Sequence, residues 1–86
     1  MEVVDNAAEL RYEIRVDDRL AGSIRYTRDG HVVTLVHTEV DPAFEGHGVG
    51  SALVQGALDD ARARSLTVRP LCPFVAAWLC RHPEYA

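Results

Sequence analysis

The chain has 86 residues with nine basic and thirteen acidic side chains, a formal charge of −4. A nucleic-acid binder ordinarily carries a basic surplus, so phosphate-backbone binding is not expected. Apolar residues make up 48% and charged residues 26%, a composition that folds and argues against disorder.

The length suits one domain over residues 1–86, because a second core would have too few residues to close. No apolar run approaches the roughly 20 residues of a membrane span. Met1-Glu2-Val3-Val4-Asp5 does not read as a secretory leader. All nine basic residues are arginine, which removes Schiff-base lysine, phosphate-loop lysine and lysine general-base chemistry. Two cysteines, Cys72 and Cys80, are too few for a disulfide scaffold, and a reducing, cytoplasmic setting is the simpler expectation.

In chain order, Leu10, Tyr12, Ile14 and Val16 alternate with Arg11, Glu13, Arg15 and Asp17, the period-two pattern of a half-buried strand. Asp17-Asp18 is a turn signal. Leu20, Gly22, Ile24 and Tyr26 repeat the alternation, and Asp29-Gly30 is a hairpin signal. From Val32 to Val40 both registers carry apolar residues, which predicts a central strand covered on both faces. Three antiparallel strands thus account for residues 9–40.

The period then changes. Val49, Leu53, Val54, Ala57, Leu58 and Ala61 fit a helix from about Gly48 to Arg64. Asp60 and Arg64 form an i, i+4 pair on it. Leu66 to Arg69 is a short strand, placed by a crossover for parallel pairing. Pro73 opens a last helix that His82-Pro83 ends. The expected fold is α/β, a mixed antiparallel and parallel sheet in the order β-β-β-α-β-α.

The informative segment is Val40-Asp41-Pro42-Ala43-Phe44-Glu45-Gly46-His47-Gly48-Val49-Gly50-Ser51, between an apolar strand and an amphipathic helix. Alternate glycines let backbone approach a ligand, and a helix start offers unpaired N–H groups, a combination suited to phosphate. The dinucleotide fingerprint fails, because its third small residue falls on Ser51 or Leu53. The phosphate-loop pattern fails for want of lysine. Glu45-Gly46-His47-Gly48-Val49-Gly50 matches the acetyltransferase loop, Gln/Arg-x-x-Gly-x-Gly/Ala, except at its first position. A ligand-free glycine turn is the plainer alternative.

With His37-Thr38-Glu39-Val40, Pro70-Leu71-Cys72-Pro73-Phe74-Val75 and His82-Pro83-Glu84-Tyr85 in order around that loop, the sequence resembles the small, single-domain members of the GCN5-related N-acetyltransferase superfamily. The resemblance covers most of residues 31–86. It implies a compact acetyltransferase fold and acetyl-coenzyme A as co-substrate. Carried onto this sequence, it sets Thr38, Glu39 and Val40 along the pantetheine arm. The backbone of Glu45, Gly46, His47, Gly48, Val49 and Gly50, with Ser51, would hold the pyrophosphate. Glu45 departs from the family's usual arginine or glutamine, and a carboxylate there is unfavourable unless it faces solvent or an arginine.

Amide formation from a thioester needs an amine deprotonated, an oxyanion stabilised and a thiolate released. Three side chains are candidates. Cys72 precedes Pro73 at a helix start, where thiolate is favoured; it is a nucleophile, a proton donor, or a small buried residue in a tight turn. Cys80 is not its disulfide partner if residues 73–80 are helical, since eight residues span ~12 Å. His37 is a base or a hydrogen-bonded core residue, and Glu39, two residues on, is a base or a solvated strand-end residue. His47 is a loop histidine near phosphate or simply in solvent. His82-Pro83-Glu84-Tyr85 is expected to fix the C-terminus, with Tyr85 also packing near the cofactor. No metal is implied, because no Cys or His pair has ligand spacing.

The expected partner is a small-molecule or peptide amine, with the negative charge weakly favouring a cationic one. Larger relatives have helices and further strands that wall the acceptor site, so here the groove is open, completed by a second subunit or absent; an exposed edge strand on so small a domain makes a homodimer plausible. Two other readings differ in class: a non-catalytic, regulatory coenzyme A or acyl-coenzyme A binding module, and a protein-interaction domain that keeps the fold alone.

Overall fold

Residues 1–85 are described by a computed structural model of the chain. Five strands form one sheet in sequence order: β1 (Glu2–Asn6), β2 (Arg11–Val16), β3 (Arg19–Asp29), β4 (Val32–Val40) and β5 (Thr67–Pro70). The first four pair antiparallel, and β5 pairs parallel to β4. Helix α1 (Val49–Ala63) makes the crossover between β4 and β5, and α2 (Pro73–Arg81) follows β5.

The expected order of elements is present, preceded by a strand that the alternation did not reveal. In β1 only Val3 reaches the core, with Val4 beside it turned to solvent. Adjacent valines give no period to read. Val3 packs on α1 at Gly56, where an added Cβ would come within 2.6 Å of the valine Cβ. The β2–β3 turn is made by Asp17 and Asp18, both at positive φ (51° and 64°). Left-handed backbone at both loop positions matches the twist of a tight hairpin.

Tyr12, Ile14, Ile24, Tyr26, Val33 and Leu35 form one side of a single core cluster with Leu53, Val54, Val75 and Trp78 from the helices. Both helices therefore lie on one face of the sheet. The other face is polar. Its centre is Glu13, buried by neighbours that bond it: Asn6 Nδ2 at 3.0 Å and Arg11 Nε at 2.7 Å.

One irregularity corrects the reading of β4. Tyr26 pairs with Leu35 and Arg25 with His37, so Val36 is an extra residue. An inserted residue exchanges the two faces of the strand beyond it. Val33 and Leu35 point to the helices before the bulge, and Val40 packs against the same core after it. The strand is internal as predicted, but its apolar residues in two registers reflect this exchange rather than cover on both faces.

The end of α1 is tied to the sheet by a polar cluster. Arg64 pairs with Asp60 and with Asp5 of β1, so the predicted i, i+4 pair is present. Tyr12 Oη donates to Asp60 at 2.7 Å and Tyr26 Oη to Asp5 at 2.6 Å. Among the described residues no helix is long and apolar enough to cross a membrane.

Candidate active site

The glycine turn runs from the end of β4 to α1. Asp41 Oδ1 accepts from the Ala43 amide at 2.9 Å and starts a single 3-10 turn over Pro42–Phe44. Gly46 (φ 81°) and Gly48 (φ 74°) then take left-handed backbone, which other residues adopt only with strain. Gly48 caps α1 without a side chain, and no acidic residue lies in the first turn. The first intrahelical bond runs from Ala52 N–H to Gly48 O, leaving the amides of Val49, Gly50 and Ser51 without an intrahelical acceptor.

These residues fit a diphosphate. A Cβ added at Gly46 or Gly48 would meet nothing within 4 Å beyond its chain neighbours, so the space over the turn is open to an anion. Glu45 is exposed and makes no ion pair among the described residues, so its carboxylate faces water. His47 is exposed too, beside a groove shared with Met1, Val16, Phe44 and Val49. Ser51 Oγ accepts from Trp78 Nε1 at 2.8 Å, linking the start of α1 to α2.

Next to the turn, β4 and β5 part. Their pairing covers Val32 to Leu35, and Cys72 N–H adds a last bond to Leu35 O at 2.8 Å. Beyond it and the bulged Val36, His37 to Val40 pair with β3 only. This opens a notch with one free strand edge, the surface an extended amide-bearing chain such as pantetheine can pair with. Leu71 (66% exposed) and Phe74 (43% exposed) stand beside it, and the Phe74 ring lies against Gly50.

Cys72 sits at the apex of the notch as the cap of α2, 3% exposed. Its Sγ is 3.3 Å from Thr38 Oγ1. Burial pushes the thiol up, but the Thr38 hydroxyl and the backbone N–H groups of Val75, Phe74 and Thr38 favour the thiolate more, and the net value lies below that of an ordinary cysteine. No side-chain bond of cap geometry joins Sγ to α2, so these amides act through their charge.

The three predicted catalytic side chains do not meet at one point. His37 and Glu39 lie on the open, polar face, with His37 Nε2 3.5 Å from Glu39 Oε1 and the side chains 62% and 75% exposed. Thr38 and Cys72 lie on the helix face of the same strand edge. His37 is thus not a core residue, because the bulge at Val36 turns it away from the side that Leu35 occupies. Ser23 and Arg25 are the cross-strand neighbours of Glu39 and His37, and Ser23, Leu20, Arg11 and Asp41 line a shallow groove of about 270 Å³ with Glu39.

The sequence reading missed Thr38 as a partner of the thiol, Leu71 and Phe74 as exposed apolar walls, and the Trp78–Ser51 bond. Only the Leu-Cys-Pro-Phe run carried a signal, and apolar residues there read equally well as core. His82 and Tyr85 both pack on Trp78 and hold the C-terminal turn to α2. The Tyr85 ring meets Trp78 edge-on at 5.0 Å and lies under the Arg62 guanidinium. Cys72 and Cys80 are both free thiols. Among the described residues no three His, Cys, Asp or Glu side chains converge on one point.

The fold and the notch define an N-acetyltransferase type of architecture. Residues 11–86 match the family model described as GCN5-related N-acetyl-transferase, and the chain belongs to that family. Its fold is similar to the solution structure of a GCN5-like putative N-acetyltransferase from Staphylococcus aureus. That match has a TM-score of 0.72 at 24% identity, over 98% of this chain and 82% of the other. It is also similar to the ribosomal-protein-S18-alanine N-acetyltransferase of Escherichia coli, with a TM-score of 0.59 at 24% identity over 64% of this chain. The match spans 36% of the length of the Escherichia coli enzyme.

Proposed function

We propose that the chain is an acetyl-coenzyme A-dependent N-acetyltransferase acting on a small-molecule or peptide amine. The observation that carries this reading is Cys72, a thiol of lowered pKa at the apex of the notch, 3.3 Å from Thr38 Oγ1. Bound there, acetyl-coenzyme A supplies an acetyl group activated as a thioester.

The amides of Val49, Gly50 and Ser51, with the turn from Glu45 to Gly48, hold the diphosphate. The free edge of β4 at Thr38 and Val40 holds the pantetheine amides, with Leu71 and Phe74 as apolar walls. Cys72 is the reacting thiol: Thr38 and the first amides of α2 keep negative charge on Sγ. Sγ attacks the thioester carbonyl, so that the acetyl bond to the coenzyme sulfur breaks and that thiolate leaves. The neutral amine then takes the acetyl group from Sγ, giving the amide and freeing the Cys72 thiolate. On the polar face Glu39 is the base, with His37 beside it. Its carboxylate accepts the proton that an ammonium acceptor sheds before its nitrogen attacks.

The test is a thermal melt with coenzyme A, followed by thiol release from acetyl-coenzyme A over a panel of amines. Ligand at 100 times Kd adds about 2.7 kcal/mol of stability, and turnover falls to background in Cys72→Ala. An unchanged melting temperature at saturating coenzyme A overturns the reading of the turn. The enclosure of Cys72, 3% exposed, favours the non-catalytic coenzyme A-binding module as the second reading. That protein is stabilised by coenzyme A and releases no thiol with any amine.

A further inference from the structure

The proposed site leaves Trp78 without a part. It is the chain's one tryptophan and is 1% exposed. Its Nε1 donates to Ser51 Oγ at 2.8 Å. An indole N–H only donates, so Ser51 Oγ is the acceptor in this bond and keeps its own proton for another partner. Ser51 is the third residue after the Gly48 cap, and its amide precedes the first intrahelical bond. A serine on a helix otherwise tends to turn its hydroxyl back onto a carbonyl one turn earlier. The indole bond fixes the place of the oxygen and occupies one of its two lone pairs.

The indole is itself fixed on several sides. The His82 ring stacks on it with centroids 3.8 Å apart and planes 14° apart, and His82 Nδ1 lies 2.8 Å from Trp78 O. The Tyr85 ring meets it edge-on, and Tyr85 is covered by Arg62, 4.9 Å from the ring centroid. The C-terminal turn thus sets the indole, and the indole sets a hydroxyl at the mouth of α1.

We infer that Trp78 is a positioning residue for the anion site at the start of α1: by occupying Ser51 Oγ as acceptor, it aims the Ser51 hydroxyl proton, beside the helix amides, at the diphosphate of coenzyme A. This rests on the reading of the glycine turn given under the proposed function. Trp78 acts through Ser51 and does not touch the ligand.

The test measures coenzyme A affinity of the full chain by calorimetry, for the wild type, Ser51→Ala, Trp78→Phe and the double variant. Loss of a hydrogen bond to a charged group predicts about tenfold weaker binding in Ser51→Ala. Loss of its aim alone predicts a smaller deficit, about threefold, in Trp78→Phe. Phe keeps a ring for His82 and Tyr85 to pack on. The double variant binds no more weakly than Ser51→Ala, since both changes act through one hydroxyl. A tryptophan that merely fills the core would instead give a loss that adds to that of Ser51→Ala, and additivity overturns the inference.

Should Trp78→Phe fail to fold, the lone tryptophan's emission gives a second measurement. Coenzyme A shifts it in the wild type and not in Ser51→Ala. Calorimetric binding with no emission change in the wild type overturns the inference alone. Absence of any calorimetric binding by the wild type overturns the glycine-turn reading and this inference together.

Discussion

Thr38 Oγ1 and Cys72 Sγ stand 3.3 Å apart, joining the stretch of β4 that β5 leaves uncovered to a helix cap 34 residues later in the chain. The contact closes the apex of the notch between β4 and β5. It is also the one side-chain bond that the thiol makes among the described residues, so a residue of the strand it faces acts on that sulfur together with burial and the first amides of α2.

The first prediction follows from that pairing. The Thr38 hydroxyl is among the groups that hold the Cys72 thiol below its ordinary value against the opposing effect of burial. In Thr38→Val the hydroxyl is gone and the value rises. The pH profile of Cys72 alkylation by a small reagent, and of any thiol-dependent turnover, then moves to higher pH. Thr38→Ser keeps the wild-type profile. A Thr38→Val profile that coincides with the wild type would show that the hydroxyl does not act on the sulfur.

Glu45 offers a gain of function. Its carboxylate is exposed beside the proposed diphosphate site, where like charge repels. Glu45→Arg reverses the sign and should tighten coenzyme A binding by several-fold, consistent with about 1 kcal/mol for an exposed charge. The gain shrinks as salt is raised through physiological strength. Titration at two salt concentrations checks both statements, and an equal affinity for the two proteins at low salt contradicts them.

Gly56 tests the packing of β1. Alanine is the better helix former by about 1 kcal/mol, but a Cβ there would stand 2.6 Å from Val3 Cβ. Gly56→Ala should therefore destabilise by about 1–3 kcal/mol, the usual cost of overpacking. Adding Val3→Ala should recover only part of the loss, because it removes the two methyls but leaves the Cβ, 2.6 Å from the new group, in place. Urea unfolding of the two variants decides it; a Gly56→Ala protein more stable than the wild type would show that β1 yields freely.

Glu13 sets an acid limit. The hydrogen bond from Asn6 lowers its carboxyl pKa, burial opposes this, and Arg11 adds to the lowering. A carboxyl depressed in the folded state contributes stability that is present above its unfolded value, about 4.3. That contribution is lost as pH falls from there through the folded value. Glu13→Gln should be less stable at neutral pH and should lose less on acidification. Parallel stability curves from pH 6 to pH 3 for the two proteins would rule out this source of acid sensitivity.

Much of the fold was legible because period and punctuation agreed. The predicted helix of residues 48–64 is found as Val49–Ala63, and the turn residues Asp17, Asp18 and Gly30 take left-handed backbone. Strand β1 was not legible, since one partly buried valine in five residues has no period. The Val36 bulge was not legible either. An extra residue leaves the composition of a strand unchanged while exchanging its faces, so Leu35, His37 and Glu39 read as one face when the first lies opposite the other two. The glycine turn was the best-marked part of the site, because Gly46 and Gly48 carry backbone geometry that few other residues tolerate. The contacts of Ser51 with Trp78 and of Thr38 with Cys72 join residues far apart in the chain, and no local pattern encodes them.

The bulge gives β4 a tolerance of length that substitution does not reveal. Val36 is the residue the ladder leaves over, with Leu35 opposite Tyr26 and His37 opposite Arg25. Deleting it would let Leu35 and His37 follow each other in regular alternation, and the threonine and valine downstream would stay on the inner side. A single lost codon there would keep the strand's two sides where they are, whereas flattening the bulge with Val36 retained would carry the carboxylate and imidazole inward.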